Sequence, residues 1–519
     1  RRHLKPPGFA AHHERSEPPV TALALTASPI FPTPPALPRI IQGGMGVAVS
    51  SWKLASAVAR SGQLGLVSGT ALDLVLARRL QDGDHDGAAR RALAAFPIPR
   101  FAERVLKRFF LPAGRAPGQP YAPVPRLTLK QTRLAQELTV LGNFVEVWLA
   151  KAGHAGLVGI NYLEKIQMAT PAASYGAMLA GADYVVMGAG IPREIPHLLD
   201  QLAQHEDVSL PITVIGGSGH TVDFSPTDLM GTAAARGDNA AQPAPAQPPL
   251  KRPTFLAIVS AHALAEYLAR DPRVRPDGFV IEGHVAGGHN APPRGRLTLD
   301  DSGQPIFGPR DSADVSKVAA LGLPFWLAGA YGTPEAVSAA LAEGAAGVQV
   351  GTLFALAQES GLEPALRDDV NDRLRSGTLE VRTDPLASPT GFPFKVAQVP
   401  NTLSDPAVTQ ARPRLCDLGY LRSAVERPDG SVVYRCPAEP VHMYVKKGGD
   451  IADTVGRSCL CNSLAANVGL GQTRRDGYEE PALVTLGVDL DGVTRLAAQH
   501  PHGWGAEQAV SWLLGKPVG

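Results

Sequence analysis

Eight short apolar runs, each opening into a turn, constrain the fold of this chain more than any other feature. They lie at Arg39 to Gln42, Leu64 to Val67, Gly156 to Ile160, Tyr184 to Met187, Thr254 to Val259, Gly278 to Ile281, Phe325 to Ala328 and Gly347 to Val350. Runs this short and continuously apolar suit strands covered on both faces, and helical patterns stand between them. That alternation predicts a parallel sheet wrapped by helices. Eight such units predict a (β/α)8 TIM barrel. Helices are predicted at Trp52 to Ser61, Ala172 to Ala180, Ile191 to Leu202, Ala261 to Ala269, Ala313 to Leu321 and Pro334 to Glu343. The last is well signed. Thr333 suits an N-cap, Pro334 the first helical position, and Glu335 the positive helix end.

Two stretches exceed a minimal barrel. A helical insertion follows the second strand, at about 71–153, with basic segments Ala88 to Phe96 and Ala102 to Phe110, a proline-rich loop and an amphipathic helix. The other, about 205–252, precedes the fifth strand. It contains an accessory strand at Leu210 to Ile215 and an Ala/Pro/Gln-rich linker, Ala233 to Pro249. The sequence thus divides into an N-terminal arm at 1–38, read as disordered, a barrel at 39–358 and a C-terminal extension at 359–519. The arm holds nine prolines and no signal-peptide core, and the chain does not begin with Met. The 49 basic and 48 acidic residues leave a net charge of +1, so no global field recruits nucleic acid or an anionic membrane. The longest nearly apolar run, Leu64 to Ala77, is too short to span a bilayer. A small-molecule ligand and a cytoplasmic setting are expected.

Four motifs point to a ligand at the strand ends. In Gln42-Gly43-Gly44-Met45-Gly46 the glycines let peptide groups lie against a flat ring, and Met45 offers it a polarizable face; a tight turn around a core methionine is the plainer reading. Leu327 to Glu335 and Gly347 to Thr352 both place small residues between a strand and a helix, where backbone N–H groups can hold a phosphate. Asn161 ends a buried strand, where it either binds a heterocycle edge or forms a turn. Glu282 to Asn290 places two histidines in a glycine turn. His289 is the candidate acid or base, because its reference pKa lies near working pH. A solvated turn accounts for the same local residues. His284 is read as a packing neighbour, and no metal is expected on the two histidines.

In chain order, Gln42 to Gly46, Gly159 to Asn161, Gly283 to His289, Ala328 to Pro334 and Gln349 to Thr352 resemble the nitronate monooxygenase (2-nitropropane dioxygenase) family, FMN-dependent barrels that also include flavin enoyl-acyl-carrier-protein reductases. The resemblance spans about residues 38–358. It implies FMN with its phosphate at Gly329, Ala330, Gly351 and Thr352 and its ring near Gly43, Gly44, Met45, Asn161 and Gly287. Glu282, Gln349 and Val350 complete the implied cofactor site, and His289 matches the catalytic histidine. The implied reaction oxidises a nitronate or nitroalkane with O2 to a carbonyl compound and nitrite. The alternatives are an enoyl thioester reductase using NAD(P)H and a flavin-binding scaffold without catalysis. Three positions depart from the family pattern: Val285 stands where many members have Glu, Glu282 where many have Gln, and Ala330 where Gly is usual.

Two features lie beyond the barrel. Thr383 to Lys395, with its prolines and aromatics, suits either a cover over the pocket mouth or a surface connection. Cys416, Cys436, Cys459 and Cys461 are the chain's only cysteines. Their spacing fits no common zinc pattern, leaving buried thiols as the main reading and structural zinc as the alternative.

Overall fold

The computed structural model describes residues 37–230 and 248–516. The arm at 1–38, except its last two residues, and the linker at 233–249, except 248 and 249, lie outside them. The eight strands are β1 (Ile40–Gln42), β2 (Leu64–Ser68), β3 (Val158–Leu163), β4 (Tyr184–Gly188), β5 (Thr254–Val259), β6 (Gly278–Glu282), β7 (Phe325–Ala328) and β8 (Gly347–Val350). All pair in parallel, each with its sequence neighbours, and β1 closes against β8 through Ile41 opposite Gln349. The molecule is a closed (β/α)8 barrel.

Strand periodicity explains both the closure and the position of the cavity. Successive side chains alternate between the barrel axis and the helices outside. Ile41, Leu64, Leu66, Tyr184, Val186, Leu256, Ile258, Val280 and Trp326 form one buried cluster that fills the axis. Trp326 Nε1 donates to the Pro38 carbonyl at 2.8 Å. The complementary set, including Val67, Ile160, Val185, Phe255, Phe279, Phe325 and Val348, packs in the larger core with the helices. Two residues beyond each axial residue, the same parity brings Gly188, Glu282 and Ala328 inward at the C-terminal strand ends.

The insertion after β2 forms the helices Leu72–Gln81, Ala88–Ala94, Pro99–Phe109 and Arg133–Lys151. The Thr132 hydroxyl caps the last of these by accepting from Ala135 N–H at 3.2 Å. Two local expectations are corrected. The helix after β4 begins at Ile195 rather than Ile191, because Pro196 occupies its first turn, where a missing N–H costs nothing. The single accessory strand at Leu210 to Ile215 is two: Val208–Pro211 pairs with Thr221–Phe224, while Val214–Ile215 joins Ser423–Glu426 of the C-terminal extension. Pro211 has no N–H with which to continue the first ladder.

From Pro38 onward the described residues form one compact unit. The strand Phe394–Ala397 is central to how the extension attaches. It pairs with Val381–Asp384, receives the Asn290 N–H on the Pro393 carbonyl at 3.0 Å, and donates from Lys395 N–H to the Gly288 carbonyl at 2.9 Å. Ala397 N–H donates to the Val484 carbonyl at 2.9 Å, bringing Thr485 to Gly487 over the barrel mouth. Among the described residues no helix is long and apolar enough to cross a membrane.

Candidate active site

The C-terminal strand ends surround a cavity lined by the candidate catalytic histidine and all the candidate cofactor-site residues. Gly43, Gly44, Met45, Asn161, Glu282, Gly287, His289, Gly329, Ala330, Gln349, Val350, Gly351 and Thr352 all face it. The turn after β1 is pinned from within. Ser50 Oγ accepts from Met45 N–H at 2.9 Å and donates to the Gly43 carbonyl at 2.8 Å, while Gly43 N–H donates to the Val350 carbonyl at 2.8 Å. Gly44 packs so closely on β3 that a Cβ there would lie 2.2 Å from Asn161 Cβ.

The floor carries unmet polar capacity. Asn161 Oδ1 and Gln349 Oε1 are buried without a hydrogen-bond partner. Native proteins seldom leave buried amides unpaired, so these oxygens suit a bound heterocycle with N–H groups along its edge. At the opposite corner the chain turns sharply after β7, with Gly329 at φ +92° and Ala330 at φ +62°. Thr333 Oγ1 accepts from Ala336 N–H at 3.2 Å, starting the helix Pro334–Ala342 beside this turn. Thr352 opens a second short helix, and its hydroxyl accepts from Gly487 N–H at 3.0 Å. Among the described residues no Lys or Arg lines the cavity. An anion at this corner therefore relies on backbone N–H groups and helix ends.

Ala330 is an alanine held in the left-handed region, where its Cβ crowds the backbone at a cost of about 1–2 kcal/mol. Ala330→Gly relieves this crowding but adds freedom to the unfolded chain. The expected net result is a gain of about 0.5–1 kcal/mol, read as a higher urea midpoint at unchanged slope. A lower midpoint would show that the turn is unstrained.

His289, the candidate acid or base, lines the cavity, with partners that the sequence could not name. Its Nε2 is 2.7 Å from Ser388 Oγ, and its ring meets Phe394 edge-on with centroids 4.8 Å apart. Ser388 Oγ in turn lies 2.8 Å from Thr390 Oγ1. Burial, with a smaller contribution from Lys165, pushes the imidazole pKa down to about 4, so His289 is neutral through the physiological range. Glu282 behaves in the opposite sense. Burial raises its carboxyl to about 7, against the pull of Lys395.

The extension supplies Phe394, from the segment whose alternative reading was a cover over the pocket mouth, and wall residues that the motifs did not reveal: Tyr420, Leu421, Leu460, Cys461, Leu464 and Thr485 to Gly487. Their positions depend on pairings between segments far apart in sequence, which no local pattern announces. The four cysteines are all free thiols. Burial raises Cys461 to about 12. Among the described residues no group of three or more His, Cys, Asp or Glu is arranged to hold a metal ion, so the zinc alternative gains no support.

The nitronate monooxygenase family model matches residues 239–383, from the approach to β5 through the strand Val381–Asp384. Over that segment the chain is similar to the nitronate monooxygenases. The matched segment includes the glycine turn, His289 and the turns after β7 and β8. No curated protein matches the chain. Among solved structures, FabK from Thermotoga maritima is 15% identical, with 92% of each chain covered and a TM-score of 0.42. Nitroalkane oxidase from Streptomyces ansochromogenes is also 15% identical, covering 92% of this chain and 95% of that one at a TM-score of 0.42. Likenesses at these scores carry no argument about the reaction of this chain.

Proposed function

We propose that this chain is an FMN-dependent oxidoreductase of nitronate monooxygenase type. It would convert nitroalkanes, through their nitronates, with O2 to carbonyl compounds and nitrite. The observation that carries this reading is a single cavity joining unpaired amides at one end, an N–H-rich corner at the other and a neutral histidine at the mouth. FMN, when bound, supplies the electron transfer from nitronate to O2. Asn161 and Gln349 would meet the polar edge of its ring, Gly43 to Met45 and Gly287 would bracket the ring, and Gly329, Ala330, Gly351 and Thr352 would hold the phosphate.

The protein's own chemistry is a proton abstraction. With Nε2 donating to Ser388 Oγ and Ser388 donating onward to Thr390 Oγ1, Nδ1 keeps its lone pair for the acidic α-carbon proton of a nitroalkane. The extension excludes water above this point. Leu163, Ile166, Leu421, Leu460 and Leu464 give the cavity an apolar flank, and no lining Lys or Arg attracts an anion. A neutral nitroalkane with an apolar chain is the substrate that these walls favour. The four free thiols suit a reducing cytoplasm.

An aerobic assay of the FMN-loaded protein tests the reading. Oxygen uptake with nitrite release is expected from nitroalkanes without NAD(P)H. Each added methylene should lower KM about fourfold until the flank is filled, following burial of about 0.8 kcal/mol per CH2. Flavin reduction by NADPH with consumption of an enoyl thioester, and no turnover of nitronate, would replace this reading with the reductase. Full FMN occupancy with neither activity would leave the scaffold.

A further inference from the structure

Glu282 stands between two cavities. It lines the main one at the end of β6, and it also lines a smaller cavity with Ser260, His284, Asn290, Phe307 and Asp311. This side cavity, of about 20 Å3, has room for a water molecule. Asn290 is 2% exposed, and its Oδ1 has no partner, so a polar occupant is called for there. His284 closes the outer side with its ring stacked on Phe307 at 4.3 Å, and it is itself partly exposed. No protein hydrogen bond satisfies the Glu282 carboxyl among the described residues. The buried ammonium of Lys395 acts on it electrostatically but is anchored elsewhere, donating to Thr383 Oγ1 at 2.6 Å.

We propose that Glu282 is a second acid–base residue of this site, exchanging a proton with the polar edge of the ring bound against it and with solvent through the side cavity and His284. In one direction the neutral carboxyl gives its proton to a ring heteroatom, whose electron pair forms the new bond, and becomes a carboxylate. Water in the side cavity then returns a proton to that carboxylate and is itself reprotonated from His284 or from solvent. The reverse sequence releases the proton. This role rests on the proposed flavin site and divides the chemistry: His289 takes the α-carbon proton, while Glu282 balances charge on the cofactor side.

Lys395 from the strand Phe394–Ala397 acts on the carboxyl; His284, Arg294 and Asp311 share the side cavity with it, and His289 shares the main one. The flanking strand ends on β5 and β7 add only Ser260 and Ala328. Burial outweighs Lys395, so the carboxyl is neutral below about pH 7 and ionised above it. Lys395 is itself pushed down to about 8 by burial, so it remains largely charged when Glu282 ionises.

Infrared difference spectroscopy of the unloaded protein is the first test. A carboxylic-acid band should disappear as pH rises through about 7, and it should be missing in Glu282→Gln. In the FMN-loaded enzyme, kcat/KM for preformed nitronate should fall about tenfold from about pH 6 to about pH 8, as the neutral fraction of a group near 7 falls. Glu282→Gln should flatten that limb. Lys395→Met removes the attracting cation and should move both band and limb to higher pH, a second readout if Glu282→Gln does not fold. A limb unchanged in Glu282→Gln, or a band that titrates in the ordinary carboxylate range, overturns the proposal. If the band titrates as stated but loaded protein turns over no nitronate, the flavin-reaction reading fails and the catalytic role falls with it.

Discussion

His289→Ala is expected to lose about 100- to 10,000-fold in kcat/KM on a neutral nitroalkane and only a small factor on the preformed nitronate. The magnitude is that of removing a positioned general base. The difference between substrates follows because a nitronate has already lost the α-carbon proton. The pH dependence provides a further check. Burial lowers the His289 pKa to about 4, so the base is deprotonated at every pH above that value, and its protonation limits turnover only below it. Wild-type activity on nitroalkane should therefore show no histidine limb between about pH 5 and about pH 7. Ser388 strengthens the expectation: its Oγ at 2.7 Å from Nε2 leaves Nδ1 as the free nitrogen. Steady-state kinetics of oxygen uptake on both substrates would measure it. Equal losses on the two, with FMN retained, would remove His289 from proton abstraction and leave it a packing role against Phe394.

The barrel was legible because every one of its strands is a short continuous apolar run, and such runs mean the same thing wherever they occur. Ile41 and Trp326 facing inward, and Phe279 and Val348 outward, follow from parity alone. The same parity carries Glu282 to the rim of the axis, so a polar residue ending an apolar strand was a readable signal. Of the walls built by the extension only the segment 383–395 carried a signal, and that signal had two readings. Phe394 reaches the site through backbone bonds to Gly288 and Asn290, and Leu460 and Thr485 come from farther still. The energy of such contacts depends on which segments meet, whereas local composition at 383–395 suited a surface connection equally well. Lys395 shows the limit most clearly. A lysine in a polar, proline-rich segment reads as solvated, yet it is 1% exposed and faces a buried carboxyl more than a hundred positions away in the chain. The accessory strand failed for a related reason. Val214–Ile215 is held by Ser423–Glu426, a partner that no pattern near it could indicate.

Gly44→Ala is expected to abolish most flavin retention and to destabilise the protein by about 3 kcal/mol or more, above the usual range for an added methyl in a packed core. The reason is which atom it meets. A Cβ at Gly44 lies 2.2 Å from Asn161 Cβ and 2.9 Å from its Cγ. Rotation about χ1 cannot move a Cβ, so either β3 or the turn after β1 must shift. Neither can do so cheaply. Asn161 is fixed in register between Ser68 and Val186, and the turn is tied by Ser50 to Gly43 and Met45. Any shift also displaces the Asn161 amide from the ring edge it is proposed to meet. Gly43→Ala is the matched steric comparison for stability, at a neighbouring position proposed to lie against the same ring. Its Cβ would meet nothing closer than the Val350 carbonyl oxygen at 3.4 Å, ordinary contact, and neither glycine has a positive φ to complicate the comparison. Flavin absorbance per protein after purification and the thermal midpoint of each variant decide the matter. Gly44→Ala retaining flavin and melting with Gly43→Ala would mean that the β1 turn does not lie against the ring.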